Sequence, residues 1–235
     1  MLEQRGLATT VIALVLPQVE KTRPPRALMT PFMLGRPLGE PNNAAFQRRV
    51  LLQALQLLTR DDGPVLLEHF EDDNPSWFDR PGWRPAPELP AWVLPADAAS
   101  WQVAFTDELA RVQPAWQRFA QRFGRSSVGL AGQPVEQWAA FTVACLEGGL
   151  PSVAAHPSSA LALRFLADDV KAMYGEAAQA DGGPPSARQI DAWFWRETVA
   201  GQLLIALRAA ALLSPNNAMK AVGGRFFVPA PFVPV

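Results

Sequence analysis

The sequence predicts an α/β amino-terminal segment with parallel strands, followed by a mainly α-helical bundle. Three observations point there. Residues 9–16 (TTVIALVL) form a continuous apolar, β-branched run of the kind that fills strands buried on both faces of a parallel sheet. Residues 46, 50, 51, 54, 55 and 58 are apolar, the stripe of a helix that covers a core. Beyond Pro95 the strand signals stop, and four long helical patterns follow one another between short loops, which favours an antiparallel bundle.

Taken in order, residues 1–5 read as the last turn of a helix stopped by Gly6. Such a start suggests that upstream material is missing or lies on another chain. The strand 9–16 follows. Pro24 and Pro25 impose an extended entry into a second strand over 27–32. A loop rich in glycine and proline spans 34–43 and ends on Asn42 or Asn43, either a good cap for the helix 46–58. Gly63-Pro64 breaks the chain before a third strand at 65–67.

Residues 75–95 hold six prolines together with Trp77, Trp83 and Trp92. This stretch suits neither helix nor central strand, and reads as a linker laid over a surface and pinned by its indoles. Asp97 then caps a helix to Phe123, kinked or split at Pro114. Pro134 opens a second helix reaching Glu147, stopped by Gly148-Gly149. Ser158 or Ser159 starts a third, to Ala178. Ser186 and Gln189 form a capping box for a fourth, continuous to Leu213. The expected division is an α/β segment over 1–74, a Pro/Trp-rich linker over 75–96, a bundle over 97–222 and an extended tail over 223–235.

Apolar residues make up 49% of the 235 and charged residues 18%, ample for a packed core and unlike a disordered chain. The net charge of −1 provides no global field for nucleic acid or an anionic membrane. Residues 1–6 carry charge and no cleavage pattern follows, so a cytoplasmic location is expected. Charge shifts locally: residues 1–60 balance at +5 and residues 61–80 at −6, a solvated acidic stretch against which Arg48 and Arg49 find ion-pair partners. The one cysteine, Cys145, excludes an internal disulfide and a cysteine-based zinc site, and reads as an inert core thiol.

The strings Glu20-Lys21-Thr22-Arg23-Pro24-Pro25-Arg26-Ala27, Pro31-Phe32, Leu34-Gly35-Arg36-Pro37-Leu38-Gly39 and Phe46-Gln47-Arg48-Arg49-Val50-Leu51 carry a resemblance. Over about residues 1–70 the chain resembles the carboxy-terminal part of the selenoprotein B component of glycine, sarcosine and betaine reductases and its selenium-free relatives. The helical part resembles carboxy-terminal extensions of some of those relatives. The resemblance implies a partial Rossmann-like fold and descent from enzymes that cleave a carbon–nitrogen bond reductively with a selenocysteine or cysteine. No residue here aligns with that redox centre. The implied function is a subunit or remnant of such an oxidoreductase, binding a small amino-acid-like or carboxylate ligand, with the redox residue on a missing segment or partner chain. The rival expectation is a non-catalytic binding or scaffold subunit that uses the Pro/Trp stretch and the tail as contacts.

The candidate ligand-binding residues are Gly35, Arg36, Gly39, Asn42 and Asn43. Glycines permit close backbone approach, Arg36 offers a bidentate fork, and the following helix start presents free N–H groups to a carboxylate. No Gly-Lys-Ser/Thr follows, so nucleotide binding is not expected, and neither is any other cofactor. His69 lies beside Glu68, Glu71, Asp72 and Asp73, but adjacent side chains on an extended chain diverge, so no metal site is expected there. A di-iron bundle would draw on Glu136, Glu147, Asp168, Asp169, Glu176 and Glu197, but lacks any Glu-x-x-His pair. Glu197 itself follows Ile190, Trp193 and Phe194 at helical spacing, and is expected as a buried carboxylate on the apolar face, paired with Arg164 or Arg196 or held in a cleft, unless the stripe rotates enough to bring it to the rim. The strand 9–16 wants neighbours on both edges, so a homo-oligomer or a partner subunit is expected. Nucleic acid and membrane are not expected as partners.

Overall fold

Three short strands, β1 (Val11–Ala13), β2 (Arg26–Met29) and β3 (Leu66–His69), form a parallel sheet in the order β1-β2-β3. The computed structural model describes residues 2–32, 34–39, 42–63, 65–72, 80–182 and 185–234. The chain divides into two compact units, Met1–Phe78 and Asp79–Val235. Glu40, Pro41, Pro64, Trp77, Gly183 and Pro184, all features of the sequence reading, lie outside the described residues.

In the first unit, side chains alternate across the sheet as strand geometry demands. Ile12 and Leu28 face a core built with Phe46, Val50 and Ala54 of helix α2 (Ala44–Gln56). Ala13 and Ala27 face the other side, where Val19 of helix α1 (Leu16–Thr22) covers them. β1 and β2 are shorter than the apolar runs suggest, whereas β3 is one residue longer than the expected 65–67. In particular, residue 16 does not end a strand but begins α1, with Pro17 at its first turn, where a missing N–H costs nothing. The opening turn is a 3-10 helix, Glu3–Arg5, ended by Gly6 at φ 79°. Glu3 accepts from Thr9 and pairs with Arg26 of β2 at 2.9 Å, tying that turn to the sheet.

The second unit is helical. It comprises α3 (Ala98–Phe123), α4 (Trp138–Leu146), α5 (Ser159–Ala178), α6 (Ala187–Glu197), α7 (Val199–Leu213) and α8 (Asn217–Phe226). The Asp97 and Ser186 capping boxes and the Ser158 cap hold as their residue types predict. Pro114 does not split α3: the buried Val112, Ala115 and Phe119 anchor the helix on both sides of it. A 3-10 turn, Val135–Gln137, precedes α4, so the helix begins later than Pro134. The expected tail is likewise shorter, since α8 runs to Phe226 and a 3-10 turn, Ala230–Phe232, follows.

The main correction concerns the last long helix. It is two helices, α6 and α7, broken at Thr198 (φ −117°, ψ 146°). Thr198 Oγ1 donates to Phe194 O and accepts from Gly201 N, closing α6 and capping α7 with one hydroxyl. Gly201 is required there: a Cβ on it would stand 2.1 Å from Phe194 O. The proline-rich stretch lies along α6. Gln189 bonds the backbone of Arg80 in both directions at 2.9 Å, and Trp92 Nε1 donates to Arg196 O at 3.0 Å.

Candidate functional site

The five residues expected to bind a ligand come together in one loop at the carboxyl end of β2. In open parallel sheets, ligands sit at this edge. Gly35 and Gly39 have φ of 88° and 82°, and Gly39 N donates to Arg36 O at 2.9 Å, which makes 36–39 a tight turn. A Cβ on Gly39 would lie 2.5 Å from the Phe46 ring, so only glycine fits. Beneath the turn, Phe32, Phe46 and Phe70 meet edge-to-face or tilted, with centroids 5.5–5.7 Å apart. Asn42 takes φ 64°, and Asn43 Oδ1 accepts from Phe46 N at 3.1 Å as the cap of α2. The amides of Ala44 and Ala45 open α2 and have no acceptor within their own helix. Arg36 is exposed and has no acidic partner among the described residues.

Beside this loop, a cavity of about 650 Å³ lies between Arg49 and Gln53 of α2 and the end of β3. Arg49 and Asp72 form an exposed ion pair across it at 2.5 Å, as the charge shift in the sequence suggests. His69 and Glu71 are exposed there. Among the described residues, no group of His, Cys, Asp and Glu is arranged to hold a metal ion.

Glu197 is not the buried carboxylate that the helical stripe predicts. It is exposed, because α6 ends at this residue and the stripe does not continue through it. It stands instead on the rim of a cleft of about 610 Å³ between α6 and residues 84–92.

The carboxylates that do enter the core are Glu108, Asp169 and Glu176, at 5%, 1% and 8% exposure. Among the described residues, none of them has a cationic partner. Glu108 Oε1 accepts from Tyr174 Oη and Ala200 N, both at 2.8 Å, and its Oε2 accepts from Val199 N at 2.7 Å. The positive end of the α7 dipole thus does the work of a counter-ion. Burial pushes the Glu108 carboxyl above its ordinary value, against the pull of these donors. Burial, then the neighbouring Glu108, hold the Tyr174 phenol well above its usual range.

Asp169 accepts from the amides of Gly129, Leu130 and Ala131 at 2.7–3.0 Å. Glu176 accepts from Ser127 N, Ser126 Oγ and Trp116 Nε1 at 2.6–3.0 Å. These two acids of α5 pin the α3–α4 loop. His156, at 3.0 Å from Ala131 O and stacked on Phe165, supports the same loop. Of the three acids, Glu108 is the one that the sequence reading misses. Its signal is there: it lies three residues after Phe105 and four before Val112 on the core stripe of α3.

The lone thiol is core. Cys145 is 2% exposed, and burial pushes its pKa up to about 12. Among the described residues, no helix is long and apolar enough to cross a membrane. No family model matches the chain, and neither a curated protein nor a solved structure matches it.

Proposed function

We propose that the first unit holds a small carboxylate or amino-acid-like ligand at the 35–43 loop, and that the chain is a non-redox, ligand-binding subunit of a reductase related to the selenoprotein B family. The observation that carries this reading is the convergence, at the carboxyl edge of a parallel sheet, of an exposed arginine, two left-handed glycines and the start of α2. Backbone N–H groups at a helix start favour an anion, and a guanidinium adds a planar two-point contact. The resemblance of this string to the selenoprotein B family supplies the reaction class. The chemistry of reduction would then come from another chain, since the Cys145 thiol is buried and protonated at neutral pH.

The test is a titration of the protein with glycine, acetate and sulfate, followed through the amide resonances of residues 34–46. Saturable shifts at Gly35, Arg36 and Ala44 are expected. Arg36→Lys retains charge but loses the fork, and should weaken binding by about 1–2 kcal/mol. No shift in this loop, or equal binding by Arg36→Lys, refutes the reading.

A second reading, a scaffold subunit, is favoured by one specific feature. Leu51, Leu52 and Leu55 of α2 are 41–53% exposed, an apolar strip on a helix that already buries its other face. Light scattering that finds only monomer over a wide concentration range, with no partner recovered, would count against it.

A further inference from the structure

The cleft on whose rim Glu197 stands brings prolines, indoles and charged side chains together. One wall is residues 84–92, with Pro85, Pro87 and Pro90, and the other is α6. Prolines fix φ and lower the entropy that this wall would lose when a ligand settles against it. Two indoles, Trp92 and Trp193, line the space, and its volume of about 610 Å³ falls in the range of small-molecule sites.

Four ionic groups face this cleft: Arg84, Arg196, Glu88 and Glu197. They are two of each sign, yet none is ion-paired with another of the four or with any described residue. Elsewhere in the same unit, Arg118 and Lys171 each find an acid at 2.8–2.9 Å. The backbone that carries Arg196 is fixed by Trp92 Nε1 on its carbonyl, and its guanidinium lies 5.9 Å from the centroid of Phe232, which itself stacks on Trp195. Arg196 is therefore held in place without being neutralised.

We propose that this cleft binds a small zwitterion with a flat apolar body, the chemistry of an aromatic amino acid. The indoles and prolines take the ring, an arginine takes the carboxylate, and a glutamate takes the ammonium. Aromatic faces and fixed proline edges favour a flat apolar group over an aliphatic one. A ligand with both charges uses both unpaired sets at once, whereas a singly charged one leaves half of them without a partner.

The experiment is calorimetry on the full chain with L-phenylalanine, 3-phenylpropanoate, 2-phenylethylamine and glycine. L-Phenylalanine should bind saturably, and each of the other three at least about tenfold more weakly, the loss expected for one charge-assisted contact or for the ring. Glu197→Gln should weaken L-phenylalanine but not 3-phenylpropanoate, and Arg196→Gln should weaken L-phenylalanine but not 2-phenylethylamine. Both side chains are exposed, so neither change disturbs the core. Equal binding of all four probes, no saturable binding, or indifference to both substitutions overturns the proposal. Loss of L-phenylalanine binding in Arg36→Lys would move the site to the first unit and overturn it as well. The reading of the 35–43 loop is tested separately by glycine and acetate, so the two can fail independently.

Discussion

Removing the Glu108 carboxylate should be the most damaging single polar change in the second unit. Glu108→Ala strands three buried donors at once: Val199 N, Ala200 N and Tyr174 Oη, now 2.7–2.8 Å from its oxygens. A buried donor left without an acceptor costs about 1–3 kcal/mol. Water entry and local relaxation favour the lower part of the summed range, so about 4 kcal/mol is expected. That is a large fraction of the roughly 5–15 kcal/mol by which a domain is stable. Glu108→Gln keeps one acceptor oxygen but turns an NH₂ toward an amide donor, and should cost about 2–3 kcal/mol. Tyr174→Phe removes only one of the three contacts and should cost about 1 kcal/mol, less when made on top of Glu108→Gln.

Seven of the eight tryptophans lie in the second unit, so urea unfolding followed by tryptophan fluorescence reports on it. If all three variants stay within about 1 kcal/mol of the parent, the clamp at the α6–α7 junction has been misjudged.

The pH dependence provides a further check on the same residue. Burial raises the folded pKa of Glu108 above its ordinary value of 4.5. A raised pKa means that the folded state binds this proton more tightly than the unfolded one. Its favourable term is complete below the unfolded value and is lost as pH rises through the folded value. The stability gap between the parent and Glu108→Gln, in which all other titrations cancel, should therefore narrow as pH rises above 4.5. A gap that widens would show that the donors outweigh burial.

Three further outcomes are expected. Cys145, with a pKa pushed up to about 12, should react with a soluble thiol reagent only on unfolding; rapid stoichiometric labelling of the native protein at pH 7 would contradict its burial. Gly201→Ala, whose Cβ would lie 2.1 Å from Phe194 O, should lower stability by about 2 kcal/mol or more, read as a drop in the urea midpoint; an unchanged midpoint would mean that the α6–α7 corner is looser than its contacts imply. Asp169→Asn places an NH₂ among three amide donors and should release the α3–α4 loop, seen as faster hydrogen exchange at Leu130 and Ala131; unchanged exchange there would remove Asp169 as the anchor.

Much of the architecture is local and therefore legible along the chain. The caps at Asn43, Asp97, Ser158 and Ser186, and the stops at Gly6 and Gly148, each act within a few residues. A side chain that satisfies its own helix start does so in any tertiary setting, which is why those boundaries agree. The 35–43 loop is legible for the same reason: Gly39 answers to Phe46, seven residues away.

What tertiary structure alone decided lies where a distant group competes with the local pattern. The periodicity of 186–213 describes one helix with Glu197 on its apolar face. The actual break at Thr198 is set by Glu108, about ninety residues earlier, whose carboxylate takes the amides of Val199 and Ala200 away from continued α6 geometry. Once the helix turns there, Glu197 falls on the rim of a cleft formed with residues 84–92, a pairing that no spacing along the chain encodes. A buried charge must be met by donors wherever they are in space. The sequence marks Glu108 as an acid on a core stripe, but only the packing of α3 against α5 and α7 names the amides that satisfy it.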